Sequence, residues 1–283
     1  MKKKGLLLLV VVLAFGMILA ACGSSKDQGS SSTSSSGSSG SKDSKTIIVG
    51  ADTTFPPFES EVAGKVSGFD IDMIKDIAKK EGYKVQLKTM SFDGIIPALQ
   101  SGQIDVAVAG ITIKTSRMKN VDFSDAYYKS GLSVLVKKDS KFKSVNDLKG
   151  HLVATKKATS SVDYLKDHGF KDSDIKQFKD INDAYQALEN GGAEAVVFDN
   201  PVNIDFTNKK DNVKIIGGLL TGEYYGIAVS KKKSDELLDK INDGLAGLKD
   251  DGTYKKLFSK YLGGDMNGYV KEVKKPEDVA VED

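Results

Sequence analysis

The sequence predicts an α/β fold made of two lobes, with a ligand cleft between them. Strand-like and helix-like stretches alternate from residue 46 to 109, and the alternation recurs from 132 to 198. Such alternation implies parallel sheets covered by helices on both faces. The polar and aromatic residues able to carry chemistry fall just after the predicted strands, where open parallel sheets bind ligands. They come from both alternating units, which places the site between two lobes.

Thr46-Ile47-Ile48-Val49-Gly50 is a β-branched run and reads as a buried strand. Asp70 to Lys80 carries Ile71, Ile74, Ile77 and Ala78 at helical spacing, with Gly82 as its stop. Val85 to Leu87 is the next strand. Ile95, Ile96 and Leu99 mark a helix ending at Gly102, and Asp105 to Ala109 is a strand. The second unit runs through a strand at Leu132–Val136 and a short helix at Ser144–Leu148. A strand at Leu152–Thr155 and a helix at Ser160–Asp167 follow. Ser160 with Asp163 three residues on resembles a capping box, and Gly169 closes that helix. Lys176–Phe178, a helix at Asn182–Glu189 and Ala195–Phe198 complete the unit. Pro201 suits the first turn of another helix. Ile227–Val229 is a further strand, and helices near Leu237–Leu248 and Tyr254–Tyr261 finish the fold.

The ends of the chain carry other information. Lys2, Lys3 and Lys4 precede an apolar run from Gly5 to Ala20, the build of a secretory signal peptide over residues 1–21. The alternative, a transmembrane anchor, needs roughly 20 apolar residues, more than this run supplies. Cys22 is the only cysteine, so an internal disulfide is impossible. Residues 22–45 are rich in serine and glycine and read as a flexible tether with a reach of roughly 25 Å. The formal charge of +2 becomes weakly negative without the three leading lysines. That leaves no basic footprint for nucleic acid. Residues 46–263 suffice for one large domain or two small ones.

Arg117 is the only arginine beside 40 lysines. Its planar fork holds a carboxylate through two parallel hydrogen bonds, which lysine cannot reproduce. A surface position, or a pair with Asp122 or Asp125, is the structural alternative. Asp199 ends the run Val196-Val197-Phe198 and suits either an ammonium group or an N-cap for the helix at Pro201. Phe55 and Phe92 are loop aromatics that belong either to the core or to the walls of a small-ligand pocket. Asp52, Gly110, Thr112, Lys156 and Thr159 also follow predicted strands. Asp70 and Asp72 are explained by the helix dipole alone. His151 and His168 are the only histidines. No HExxH, GxSxG or P-loop is present. With Cys22 outside the folded part, no metal cluster of Cys and His is expected.

The segments GADTTFPPFES, GFDIDMIKDIAKKEG, FDGIIPALQSGQIDVAVAGITIKTSRMKNVDFSDAYYKSGL, SSVDYL, VVFDNP and DGTYKKLFSKYLG resemble the extracytoplasmic polar amino-acid-binding proteins of ABC importers. The likeness is greatest to their glutamine-binding members and runs from about Thr46 to Gly263. It implies a two-lobed periplasmic-binding-protein-like clamp of type II, with two hinge strands near 127–131 and 221–225. Lobe 1 would be 46–130 plus 226–263, and lobe 2 would be 131–225. Arg117 and Thr112, with the Gly110 backbone, would bind an α-carboxylate, and Thr159 and Ser160 could donate to it from a helix N-terminus. Asp199 would bind the α-ammonium. Phe55 and Phe92 would sandwich the side chain, with Asp52 and Lys156 at its polar end.

Asp52 and Lys156 together suit a neutral amide, which donates to one and accepts from the other. This favours glutamine over glutamate, arginine or histidine. Two departures stand out. The turn reads Lys156-Lys157-Ala158-Thr159-Ser160-Ser161 where members of this group often carry a glycine, so Lys157 could compete for the ligand. Phe198 stands where a polar ring is common. Leu19-Ala20-Ala21-Cys22 resembles a lipobox, which implies lipidation at Cys22 and anchoring at the outer face of the cytoplasmic membrane. The partners implied are a free amino acid, an ABC permease and its ATPase, with the chain acting as a monomer and without a cofactor. Two rivals are a dehydratase on the same fold, disfavoured by the lack of a cleft histidine or cysteine, and an amino-acid sensor without transport. Residues 264–283 lie beyond the family's usual end and suggest no function.

Overall fold

The computed structural model describes residues 45–263 and 266–282. The expected signal segment, Cys22 and nearly all of the tether lie outside them.

Two five-stranded sheets form two lobes. In the first, the strand order is Lys84–Thr89, Thr46–Ala51, Val106–Ala107, Ala228–Val229, Asp122–Phe123. In the second it is Ile175–Phe178, Val153–Lys156, Ala195–Asp199, Leu132–Lys137, Val213–Ile216. The first three strands of each sheet are parallel, as the alternation implied. The sheets are nevertheless mixed. Ala228–Val229 runs antiparallel to both its neighbours, and so does Leu132–Lys137. The reason is the path of the chain. These strands follow the crossings between lobes and run away from the cleft, whereas the parallel strands run toward it. Periodicity reports burial, not direction, so the reversal was not legible.

The crossings are Tyr128–Ser130 and Glu223–Tyr225, which pair antiparallel as a two-stranded hinge. Aromatic rings brace it. Tyr128 and Tyr225 stack with centroids 5.5 Å apart, and Phe58 meets Tyr128 edge-on at 4.9 Å. Such pairs add to what their burial alone contributes.

The helices follow their apolar stripes. Phe69–Lys80 buries Ile71, Ile74, Ile77 and Ala78 against Ser234–Asp250 and Thr253–Leu262. Its first turn carries more than a dipole requires. Asp70 is fully buried, and one of its oxygens accepts the Gly110 N–H (3.0 Å) and the Tyr127 hydroxyl (2.8 Å). The capping box expected at Ser160 does not form, because the helix starts one residue earlier than expected. Thr159 is the N-cap of Ser160–Asp167, and Asp163 instead meets Lys114 of the other lobe at 2.7 Å. A three-stranded meander, Thr54–Phe55, Glu59–Val62 and Lys65–Ser67, was not expected because its strands are polar. It turns at Ala63-Gly64, both with positive φ, as tight two-residue hairpins require.

Residues 266–282 pack along the hinge and the first sheet's side of the cleft. Lys129 N–H donates to Gly268 O (2.9 Å), and Ala126 N–H to Lys274 O (2.9 Å). Val281 donates to Ile113 O (3.0 Å) and accepts from Thr115 N–H (3.1 Å). The tail thus runs along the hinge strand and then along the loop that leads to Arg117.

Candidate functional site

The carboxyl ends of the parallel strands from both sheets meet at one narrow cleft. Phe55, Phe92, Gly110, Thr112, Arg117, Lys156, Thr159, Ser160 and Asp199 line it, so the structure brings together every expected site residue but Asp52. Asp52 sits directly behind, against Lys156.

At one end, Lys156 Nζ donates to Asp52 Oδ2 and, at 3.0 Å, to Thr54 Oγ1. Asp52 Oδ1 accepts the Thr54 N–H (2.9 Å) and the Thr54 hydroxyl (2.8 Å). Asp52 follows strand Thr46–Ala51, and Lys156 ends strand Val153–Lys156, so the two charges come from opposite lobes. They are 2% and 1% exposed, a buried ion pair with no net charge. The second lysine of the turn is turned away. Lys157 Nζ bonds Asp93 at 2.8 Å, which holds the Asp93 carboxyl below its ordinary value.

The walls are aromatic. Phe55 meets Phe198 edge-on at 5.7 Å. Phe92 lies 5.4 Å from the Arg117 guanidinium carbon and 5.8 Å from Lys156 Nζ, within cation–π range. Phe198 is fully buried and serves as a third wall. Gly110 is required where it is. Its φ is +51, and a Cβ there would collide with the Phe55 ring.

At the other end, Arg117 spans the lobes. Its Nη1 donates to Thr112 O (2.8 Å) and its Nη2 to Ala158 O (3.1 Å). The nearby helix Ser160–Asp167 begins without a side-chain cap bond from Thr159. Val162 N–H bonds Thr159 O at 3.1 Å, which leaves the Ser160 and Ser161 amides as donors suited to an anion. Thr159 gives its hydroxyl proton to Lys156 O at 2.6 Å.

Asp199 makes no side-chain cap bond to the helix that follows it; its Oδ1 accepts the Tyr225 hydroxyl. Burial first, and the Glu223 carboxylate second, push Asp199 up to about 7, while Tyr225 pulls it down.

Two further groups were not found from sequence. Glu223, 1% exposed, accepts from Thr112 Oγ1 (2.8 Å), Ser160 Oγ (2.9 Å) and Thr221 Oγ1 (2.9 Å). Asp70 takes the Gly110 N–H, as described above. So the Thr112 hydroxyl and the Gly110 amide, expected as donors to a carboxylate, have their protons engaged elsewhere. Thr112 offers the cleft lone pairs instead. The only sequence signal for Glu223 was its place in Gly222-Glu223-Tyr224-Tyr225-Gly226, inside the expected second hinge.

A model of the family described as bacterial extracellular solute-binding proteins, family 3, matches residues 47–264. The ABC transporter glutamine-binding protein GlnH of Bacillus subtilis (strain 168) is 36% identical over 273 residues, covering 94% of this chain and 99% of that one. The arginine-binding extracellular protein ArtP of the same organism is 33% identical over 270 residues, covering 94% and 100%. Among solved structures, an ancestral arginine-binding protein bound to glutamine matches with a TM-score of 0.72 at 47% identity, over 77% of this chain and 98% of that chain. The two-lobed clamp, the family match and these likenesses agree: the chain belongs to family 3 of the bacterial extracellular solute-binding proteins, which bind solutes and are not enzymes.

Proposed function

We propose that this chain captures a polar amino acid, glutamine, by closing two lobes around it and delivers it to an ABC permease at the membrane. Relatives named for glutamine and arginine, and a GlnH named for an ABC transporter, support the class. The observation that carries glutamine is the buried Asp52–Lys156 pair. A carboxamide donates its NH2 to Asp52 and accepts from Lys156 with its carbonyl, leaving the pair neutral. A guanidinium would compete with Lys156 for Asp52, and a carboxylate would compete with Asp52 for Lys156. Either leaves one buried charge short of a partner, at a cost of roughly 3–5 kcal/mol. Preference for arginine in this cleft would require Asp52 to leave Lys156.

The rest of the zwitterion follows. Arg117 and the first-turn amides of Ser160–Asp167 hold the α-carboxylate. Asp199, with the lone pairs of Thr112, holds the α-ammonium. Phe55 and Phe92 flank the methylenes. Lobe 1, 46–130 plus 226–263, moves against lobe 2, 131–225, about the two hinge strands. Ligand groups that touch both lobes stabilise the closed form by their differential contacts. Lipidation at Cys22 and the tether after it would hold the chain at the outer face of the membrane.

The test is a calorimetric titration of protein unfolded and refolded to strip any carried ligand. Glutamine, glutamate, arginine and histidine are added separately. One-site binding of glutamine at least about tenfold tighter than the others supports the reading. Preference for arginine or glutamate overturns the pair argument while leaving the clamp. No binding of any of them overturns the function.

A further inference from the structure

The hinge carboxylate Glu223 touches site residues from both lobes. Its Oε2 takes the protons of Thr112 Oγ1 from lobe 1 and Ser160 Oγ from lobe 2. Its Oε1 takes that of Thr221 Oγ1, whose own oxygen accepts the Leu132 N–H at 3.0 Å. The backbone of Glu223 pairs with Ser130 in the hinge, so the carboxylate is held from behind.

A hydroxyl has one proton and two lone pairs. A carboxylate only accepts, so each hydroxyl bonded to it must spend its proton there. Thr112 and Ser160, both lining the cleft, then face it as acceptors. Charge points the same way. At the side-chain end Asp52 and Lys156 cancel, whereas at the α-end one cation, Arg117, faces two carboxylates, Asp199 and Glu223. With Arg117 matched to the ligand's carboxylate, the two protein carboxylates leave an excess negative charge that favours an ammonium.

We propose that Glu223 is a positioning and specificity residue: it fixes the Thr112 and Ser160 hydroxyls as acceptors and, with Asp199, makes the α-end of the cleft selective for a protonated amine. This rests on the glutamine reading above. Glu223 reaches the ligand through the two hydroxyls and the field it sets, not through a contact of its own. With its NH2 in the place of Oε2, the E223Q amide donates to the hydroxyl oxygens and turns their protons into the cleft; in the flipped orientation only the charge is lost. It also removes the excess charge.

The experiment compares glutamine with its deaminated analogue, 5-amino-5-oxopentanoate, by calorimetry on wild-type and E223Q protein. The analogue keeps the carboxylate and carboxamide and lacks only the ammonium. The expected result is a glutamine Kd raised roughly tenfold or more in E223Q, the loss of one charge-assisted bond. The analogue should bind E223Q as tightly as wild type, or tighter. Equal losses for both ligands, or no loss for glutamine, overturn the proposal; equal losses would mark Glu223 as a structural hinge residue. If E223Q does not fold, Thr112→Val removes one of the hydroxyls through which Glu223 acts. It must show the same split between the two ligands, with Thr112→Ser restoring glutamine binding; parallel losses overturn the proposal. If wild-type protein binds neither ligand, the glutamine reading itself has failed, and that outcome is separate from a change confined to E223Q.

Discussion

Replacing Asp52 with asparagine isolates the selectivity argument. The change is nearly isosteric. The Asp52 carboxylate serves Thr54 through one oxygen, at 2.9 Å to its N–H and 2.8 Å to its hydroxyl, and Lys156 through the other. An amide cannot do both. With its NH2 toward Lys156, a donor faces an ammonium; flipped, a donor faces the Thr54 N–H. With the NH2 toward it, Lys156 would keep only the Thr54 hydroxyl at 3.0 Å and the edge of the Phe92 cation–π range at 5.8 Å; flipped, it keeps a neutral acceptor in place of a carboxylate. Breaking a buried pair from one side costs roughly 3–5 kcal/mol. Lysine's flexible stem lets it relax toward solvent, so the low end, about 3 kcal/mol, is the fitting figure. That figure is a stability cost; binding itself loses glutamine's hydrogen bond to a charged acceptor, about 1.5–3 kcal/mol, so its Kd should rise roughly 10- to 150-fold. Glutamate should gain, because it supplies Lys156 with a carboxylate and no longer meets Asp52. Calorimetry with both ligands on wild-type and D52N protein reads the ratio. The expected result is a reversal, with glutamate preferred in the variant. Glutamine binding within about threefold of wild type, or a gain for arginine, would refute the pair argument.

Other consequences are as direct. Arg117→Lys keeps a charge but loses the fork that reaches Thr112 O and Ala158 O, so the Kd for glutamine should rise roughly 10- to 100-fold by titration; an unchanged Kd would remove Arg117 from the site. Asp199 titrates near 7 and must be ionised to hold an ammonium, so affinity should fall as pH drops below 7, by up to about tenfold per unit, and level off above it. Titrations from pH 5.5 to 8.5 would check this, and Asp199→Asn should flatten the profile. Burial pushes Asp70 up to about 6, and burial with the nearby Asp70 carboxylate raises Glu59. The folded state then binds more protons than the unfolded state between the ordinary carboxylate range and about 6, so the unliganded protein should gain stability as pH falls from 7.5 to 5.5. A melting midpoint that falls over that range contradicts the assignment. Val281→Pro removes the N–H given to Ile113 O and should weaken glutamine binding about fivefold, while Val281→Ala should not.

What the sequence revealed, and what it hid, follows from the range of each signal. The buried β-branched runs and the helical stripe of Phe69–Lys80 are local patterns, and they stand where they were expected. The lone arginine and the strand-end positions of Asp52, Lys156 and Asp199 pointed to one place because α/β sheets gather their carboxyl ends. Strand direction depended on how often the chain crosses between lobes, which periodicity does not record. The polar meander at 54–67 had no apolar alternation to mark it. Glu223 and Asp70 were missed for a related reason. Each acts by accepting a hydrogen bond from a residue some 40 to 111 positions away, and no local pattern encodes that. The same holds for the tail, whose backbone pairs with the hinge and the Arg117 loop rather than with its own neighbours.

The central claim is that the Asp52–Lys156 pair reads a carboxamide while Arg117 and Asp199 hold the two α-groups. The crystal structure of the glutamine complex tests it most directly. The account expects the ligand amide nitrogen within hydrogen-bond range of Asp52, its carbonyl oxygen within range of Lys156, and the pair still intact. The α-carboxylate should lie on Arg117 and the ammonium on Asp199. A ligand bound end for end, or a carboxamide turned away from a pair that has parted, would contradict it.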